Sequence, residues 1–469
     1  MSLRLADGLA GALPGSRLIT DPDVLAGVGR DQAQWAPAGV ALAALRARSG
    51  EEVSRAVAAC AELGIPVVPR GAGTGLSGGA NAVDGCLVLD LSKMDSIVEI
   101  DVENMLAVVQ PGVVNNALKA AVAEHGLWYP PDPASAPWST IGGNVSTNAG
   151  GLCCLKYGVT RDYVLGLEAV VGGPGGAYGT RLRLGRRTTK GVAGYDLTGL
   201  FVGSEGTLGV ITEVTLRLRP ARPEAPRTVV GAFGGLAGAG RAVAELTSCG
   251  LVPAALELLD RVCLEAVEDW RHLGIGASAE AMLLASVDTP GAAGDEEAEA
   301  VRAVFLRSGA DWAELSGDPV EAEALFEARR LAYPALERLG PVITEDLCVP
   351  RSEVPEMLAR IEEIGRRHGV RIATIAHAGD GNLHPLLLVP PGDDTARTAA
   401  EAAFEDLLTA AIGLRGTVTG EHGVGLLKRR GMQRELPLGV RAMQRAVKQA
   451  LDPLDLFNPG KVTGDDPGL

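Results

Sequence analysis

The apolar positions of this 469-residue chain fall into short runs whose period switches between two and about 3.6, the alternation of strands with helices. Residues 41 to 65 read as a strand and then an amphipathic helix, with Ser49-Gly50-Glu51-Glu52 near the helix start and Leu63-Gly64 at its end. Ile65 to Pro69 then read as a second strand, and CLVLDL, after a glycine-rich stretch, as a third. From Ile97 to about Arg219 short apolar strands alternate with glycine loops and close on GVITEVTLRLRP, a strand pattern stopped by proline. ARPEAPR at 220–226 reads as a linker, and GAFGGLAGAG after it as a small-residue loop or helix start. Beyond it, helices over 239–248, 293–308, 352–368 and 397–413 alternate with strands over 282–287, 371–377 and 383–389, which predicts an α+β layer with an antiparallel sheet under helices.

The glycine-rich stretch GAGTGLSGGA contains Gly73-x-Gly75-x-x-Gly78, the spacing of a dinucleotide-binding fingerprint. That fingerprint needs its glycines to open a helix. Here turn residues and another strand follow, so the expectation is strand, loop, strand, with consecutive N–H groups that can cradle a diphosphate without a helix. A glycine-rich surface loop is the plainer reading. PPDPASAPWSTIGGNVSTNAGG (130–151) and GLFVGSEGTLGVIT (199–212) repeat the recipe of hydroxyls and amides on thin backbone; for the first of them an Ω-loop is the alternative. Three such loops in one domain imply an extended ligand, larger than a mononucleotide.

Composition narrows the partners. Acidic residues outnumber basic ones 58 to 43, a net charge of −15, which argues against nucleic acid or an anionic membrane as the main partner. Seven cysteines without C-x-x-C pairs argue against a disulfide framework, a zinc ribbon or an iron–sulfur cluster and fit a reducing cytoplasm. The first residues make a poor signal peptide, and no apolar run reaches about 18 residues, so no membrane span is expected.

Candidate chemistry lies in the second half. In IATIAHAGDGNLHPLLLV, Asp380-Gly381 reads as a two-residue hairpin turn, which sets His377 directly opposite His384, close enough for both imidazoles to reach one metal ion. TGEHGVG adds Glu421 and His422. Two histidines and a carboxylate with an open position make a catalytic metal set; a pair of structural histidines is the competing reading.

The segments VVPRGAGTGLSGGA, TIGGNVSTNAGG with LKYGVTRDYVLGLEAVV, GYDLTGLFVGSEGTLGVITEVTLRL, AHAGDGNLH, TGEHGVG and DPLDLFNPGKV, in that order, resemble flavoproteins of the vanillyl-alcohol-oxidase family, with the PCMH-type FAD domain. The branch they resemble is that of glycolate oxidase flavin subunits, D-lactate dehydrogenases and D-2-hydroxyglutarate dehydrogenases. The resemblance runs from about residue 35 to residue 462 and implies an α+β fold. It implies a PCMH-type FAD-binding domain of two α/β subdomains over 35–219, a ferredoxin-like substrate or cap domain over 226–430, and a C-terminal segment over 431–469 packing back near the flavin.

Carried over, it places the amides of Arg70, Gly71, Ala72, Gly73, Thr74 and Gly75 on the FAD pyrophosphate. Pro133, Thr140, Gly142, Gly143, Ser146 and Asn148 would line the flavin ring and ribityl chain, with Glu205, Gly209 and Ile211 on the adenosine side and Asn458 also in the cofactor set. Thr74 stands where covalent relatives carry a flavin-linked histidine, which implies dissociable FAD. Cys153 and Cys154 stand where close relatives often have histidine and cysteine, and read as two small buried thiols.

The same resemblance makes His377, His384 and Glu421 ligands of a divalent metal, zinc or manganese, and His422 the base that takes the C2 hydroxyl proton, with His422 as a further ligand the alternative. ALFEARRLAYPAL matches a tryptophan-x-x-arginine segment with Phe326 in place of tryptophan, so Arg329 would clamp the substrate carboxylate; a surface helix position is the alternative.

The implied function is FAD-dependent oxidation of a D-2-hydroxyacid to the 2-oxoacid. Pro385-Leu386 in place of the asparagine of hydroxyglutarate enzymes leans it toward lactate or glycolate. Electrons would pass to a quinone, a cytochrome or an electron-transfer flavoprotein, from a cytoplasmic protein peripheral to a membrane through that acceptor. A homodimer, a multi-subunit glycolate oxidase, an oxygen-using oxidase and a catalytically silent flavin-binding scaffold are the other readings.

Overall fold

The computed structural model describes residues 2–13, 18–173, 177–273, 279–316 and 319–464; the last five residues of the expected C-terminal segment lie outside them. The chain divides into two compact units: 1–150, 159–221 and 421–469 form the first, and 151–158 with 222–420 the second. Everything from Glu421 onward therefore belongs with the N-terminal half, and eight residues of that half belong with the second unit.

In the first unit β1 (Leu18–Ile19), β2 (Ala43–Arg46), β3 (Val67–Arg70) and β4 (Leu87–Asp90) make one sheet in the order β1-β2-β4-β3. β4 runs parallel to both β2 and β3. The crossover from β2 is the helix Gly50–Leu63, as its apolar spacing predicts. Ser49 caps its start by accepting the Glu52 N–H, Gly64 ends it at φ 66°, and Val53, Ala56, Val57 and Cys60 make the buried face. Between β3 and β4 there is only the glycine loop, so strand, loop, strand holds.

The chain continues through β5 (Ile97–Asp101), β6 (Leu106–Val109), β7 (Leu127–Trp128), β8 (Val164–Val171), β9 (Thr180–Gly185), β10 (Val210–Arg217) and β11 (Arg219–Pro220). Five of these form an antiparallel sheet in the order β5-β6-β10-β8-β9, and β7 pairs with β11. The stretch 130–151 is not all loop: Ile141–Thr147 is a helix capped by the Thr140 hydroxyl, and Asn148 closes it in the left-handed conformation. Its Ser146 and Thr147 hydroxyls donate back to the Gly142 and Gly143 carbonyls, which lets short polar residues sit in a helix that their propensity disfavours.

The second unit is one antiparallel sheet of β12 (Arg227–Phe233), β13 (Ala255–Asp260), β14 (Ala281–Val287), β15 (Ala310–Ser316), β16 (Val342–Thr344), β17 (Leu347–Cys348), β18 (Ile372–His377) and β19 (Asn382–Leu388). The first four strands lie in the order β15-β12-β14-β13, with helices Leu236–Ser248 and Gly291–Arg307 joining β12 to β13 and β14 to β15, the ferredoxin-like arrangement. β18, β19 and β16 extend that sheet past β13, and β17 pairs with β19. The spacing of apolar residues finds β14, β18 and β19 but not β12, β13 or β15. β12 carries Gly231, β13 carries Glu257 inside its apolar run, and β15 is largely exposed. Helices Arg261–Arg271, Pro319–Glu337 and Leu438–Leu451 also go unpredicted.

Candidate active site

The first unit brings the three glycine loops together. Gly71 lies against the Thr140 hydroxyl, where any Cβ would collide with it, and Gly73, at φ 75°, lies under the Arg70 guanidinium. Among the described residues, no protein acceptor takes any N–H from Gly71 to Gly79, so this run of donors faces solvent or a ligand. Pro133 accepts the Ala136 N–H, and the Asn148 side chain accepts the Arg161 N–H. Gly142 packs on Pro111, and Gly209 on the Val170 carbonyl 2.6 Å from where its Cβ would stand. Ile211 is buried in β10. Asn458 uses its amide on the protein, donating to the Gly79 carbonyl at 2.8 Å and the Glu205 carbonyl at 2.7 Å.

Glu421 and His422 open the last segment of this unit, with Glu421 Oε1 and His422 Nε2 4.0 Å apart. The backbone just after them is held by Ser77 and Glu205.

In the second unit His377 and His384 are both buried, with ring centroids 5.1 Å apart and planes near perpendicular. The hairpin register differs from the expected one. His377 pairs with Asn382, and His384 with Ile375, across a four-residue turn, Ala378 to Gly381. The Gly379 N–H donates to the Leu256 carbonyl at 3.2 Å instead of pairing with Asn382, and the glycine packs against Leu155 and Leu256. A slip of two residues preserves the face, so the two rings still meet, as diagonal neighbours.

A buried carboxylate stands beside each ring, bonded to Nδ1 of His377 and beyond hydrogen-bond distance of Nδ1 of His384. Glu257 Oε1 lies 2.8 Å from His377 Nδ1 while its other oxygen accepts Arg329 Nε at 2.6 Å. Asp346 Oδ1 lies 3.7 Å from His384 Nδ1, and its other oxygen accepts the Thr419 hydroxyl at 2.7 Å. Burial alone would push the Glu257 carboxyl up, but the charges and hydrogen bonds of His377 and Arg329 outweigh it and hold the group below the usual carboxylate range. Arg329 itself is buried, not a surface helix residue. Gly420, the last residue of this unit, packs against the Asn382 side chain at a distance no Cβ would allow.

Residues 41–177 match the FAD binding domain, and residues 222–462 the FAD linked oxidases, C-terminal domain. The glycolate oxidase subunit GlcD of Bacillus subtilis is 43% identical over 426 residues, 90% of this chain and 89% of its own length. The chain belongs to the FAD-linked oxidases. A probable mitochondrial D-lactate dehydrogenase of Danio rerio is 34% identical over 425 residues, 88% of this chain and 83% of its own. Two solved structures share the fold of this FAD-linked oxidase. p-Cresol methylhydroxylase with substrate bound is 19% identical at a TM-score of 0.79, covering 99% of this chain and 97% of its own. A 4-ethylphenol oxidase from Gulosibacter chungangensis is also 19% identical at 0.80, with the same coverage. The fold is that of PCMH-type FAD oxidases.

The donor set suits the cofactor of this oxidase family. Nine consecutive N–H groups without a protein acceptor, on backbone that carries five glycines among its first five and last two residues, match what a diphosphate needs. Two carboxylates at the histidine hairpin escaped the sequence reading. Glu257 leaves a signal, a lone acid inside the apolar run ALELLD, whereas Asp346 follows Glu345 in a polar step that reads as a turn. Cys153 and Cys154 are half-buried, less enclosed than expected, and the Arg222 guanidinium lies 3.7 Å from the Cys153 sulfur.

Proposed function

We propose that this FAD-linked oxidoreductase oxidises a small D-2-hydroxyacid, of the lactate or glycolate kind, to the 2-oxoacid and passes the electrons to an acceptor other than NAD. The observation that carries the reading is the buried pair His377 and His384, with His377 Nδ1 bonded to the Glu257 carboxylate, the arrangement that prepares its Nε2 to bind a metal. Relatives named for glycolate and D-lactate oxidation support it.

In this reading the amides of Arg70 to Gly75 hold the pyrophosphate of dissociable FAD, and Pro133, Thr140, Gly142, Gly143, Ser146 and Asn148 line its ring and ribityl chain, with Gly209 and Ile211 toward the adenosine and Asn458 also in the cofactor set. Bound FAD would supply the hydride acceptor for the C2 hydrogen. A zinc or manganese ion on His377, His384 and Glu421, which follows Gly420 in the chain, would lower the pKa of the C2 hydroxyl. His422 removes the hydroxyl proton, a task for which an imidazole needs little tuning. Arg329, its Nε fixed by Glu257, receives the substrate carboxylate on its remaining N–H groups. The word subunit in the Bacillus subtilis relative's name favours a further reading, that turnover requires partner chains.

The test is anaerobic addition of D-lactate and glycolate to the yellow holoprotein. The parent bleaches, and His422→Asn stays yellow with reduction slowed by a factor of about 10² or more. A parent that no 2-hydroxyacid bleaches sinks the proposal.

A further inference from the structure

Ser77, Glu205 and the backbone of residues 422–427 form one bonded cluster inside the first unit. The Ser77 hydroxyl reaches the His422 carbonyl at 3.2 Å and the Gly423 carbonyl at 2.8 Å, and the Ser77 carbonyl accepts the Leu426 N–H at 2.8 Å and the Leu427 N–H at 3.2 Å. From the other side, the Glu205 carboxylate accepts the Val424 N–H at 2.7 Å and the Gly425 N–H at 2.9 Å, one on each oxygen. The fit is close enough to demand glycine: a Cβ on Gly423 would stand 2.8 Å from the Glu205 carboxylate, and one on Gly425 would strike the Ser77 carbonyl.

Glu205 is itself immobilised. Its N–H donates to the Ser146 carbonyl at 2.8 Å, its carbonyl accepts the Asn458 amide at 2.7 Å, and it holds φ 51°, a left-handed conformation that a glutamate adopts only when its surroundings impose it. It is buried, so water cannot stand in for the two bonds that its carboxylate makes.

We infer that Glu205 is a positioning residue for His422: with Ser77 it fixes the chain on the C-terminal side of the imidazole, and so sets where the base stands against the substrate. The carboxylate thereby works on the protein, in place of the adenosine contact that the family resemblance implies for this position. Val424 is two residues from His422, so releasing one of its anchors moves the base by a fraction of an ångström to an ångström, enough to slow a proton transfer tenfold to a hundredfold. The inference rests on the reading of His422 as the base.

Glu205→Gln keeps the shape, but its NH2 group faces one of the two N–H donors, and Ser77→Ala removes the hydroxyl from the other side. Both are measured as FAD-loaded holoprotein by anaerobic rapid mixing with the substrate that bleaches the parent. The expected result for each is flavin reduction slowed about tenfold or more per bound FAD, with substrate half-saturation unchanged within about twofold. Faster amide hydrogen exchange confined to residues 421–427 should accompany it, as should no further loss when Glu205→Gln is added to His422→Asn. If Glu205→Gln does not retain FAD, Ser77→Ala decides alone. Reduction at the parent rate in these variants, while His422→Asn is slow, overturns the inference. His422→Asn reducing at the parent rate overturns the base reading, and this assignment with it, and is distinguished from the first failure by that variant alone.

Discussion

Glu257 and His377 stand directly opposite each other on neighbouring antiparallel strands, and the side-chain bond between them, 2.8 Å, runs along the same pairing. A cross-strand position thus delivers a carboxylate to Nδ1 without any loop having to place it. The Nδ1–H donates to Glu257, which fixes the tautomer and leaves Nε2 as the nitrogen that would take the proposed metal. Glu257→Gln should weaken zinc binding about 10- to 100-fold in competition with a chromophoric chelator while FAD stays bound. Unchanged affinity would place the metal elsewhere.

Complete metal removal by a chelator should leave the flavin spectrum in place and abolish reduction by the hydroxyacid, with zinc or manganese restoring it. A chelated, metal-free protein that reduces its flavin at the parent rate would return His377 and His384 to a structural role.

Arg329→Ala removes the guanidinium partner of a fully buried carboxylate. Loss of one member of a buried ion pair costs about 3–5 kcal/mol, because the remaining charge is left without solvent or partner. Urea unfolding should show that loss in the absence of substrate, alongside the kinetic defect expected of a carboxylate clamp. An unaltered unfolding midpoint would mean that Glu257 takes up a proton or another partner at little cost.

FAD should be held without a covalent bond, since no histidine or cysteine lies in the loop from Arg70 to Gly79. Acid precipitation should release all the yellow colour to the supernatant. Colour in the pellet would point to a linkage from another loop.

Burial pushes the Glu205 carboxyl up to about 7, against the lowering effect of the Val424 and Gly425 N–H groups and Lys461 and with a raising contribution from Asp31. A group that binds its proton more tightly folded than unfolded contributes stability that is fully present below its unfolded value, about 4.5, and is lost as pH rises through about 7. The urea midpoint of the parent should therefore fall across that window more steeply than that of Glu205→Gln. Equal slopes would show a carboxyl that titrates as an ordinary one.

Local chemistry made much of this protein legible in its sequence. The helix Gly50–Leu63 announces itself through Ser49, Gly64 and its apolar spacing, and the loop from Gly71 to Gly79 through glycines that only a close backbone approach requires. These signals depend on neighbours in the chain, which is why they survive without a structure. The shared face of His377 and His384 was equally readable, because alternation along a strand depends on position alone.

What the tertiary structure decided is everything that depends on a partner far along the chain. The hairpin turns at four residues instead of two because the Leu256 carbonyl captures the Gly379 N–H. Glu257 reads as an oddity in an apolar strand until β13 pairs with β18 and sets it on His377. Glu205 carries a family motif into the sequence, but only the fold turns its carboxylate toward the backbone of Val424 and Gly425, since a hydrogen bond is chosen by proximity in space, for which the order of residues leaves no local mark.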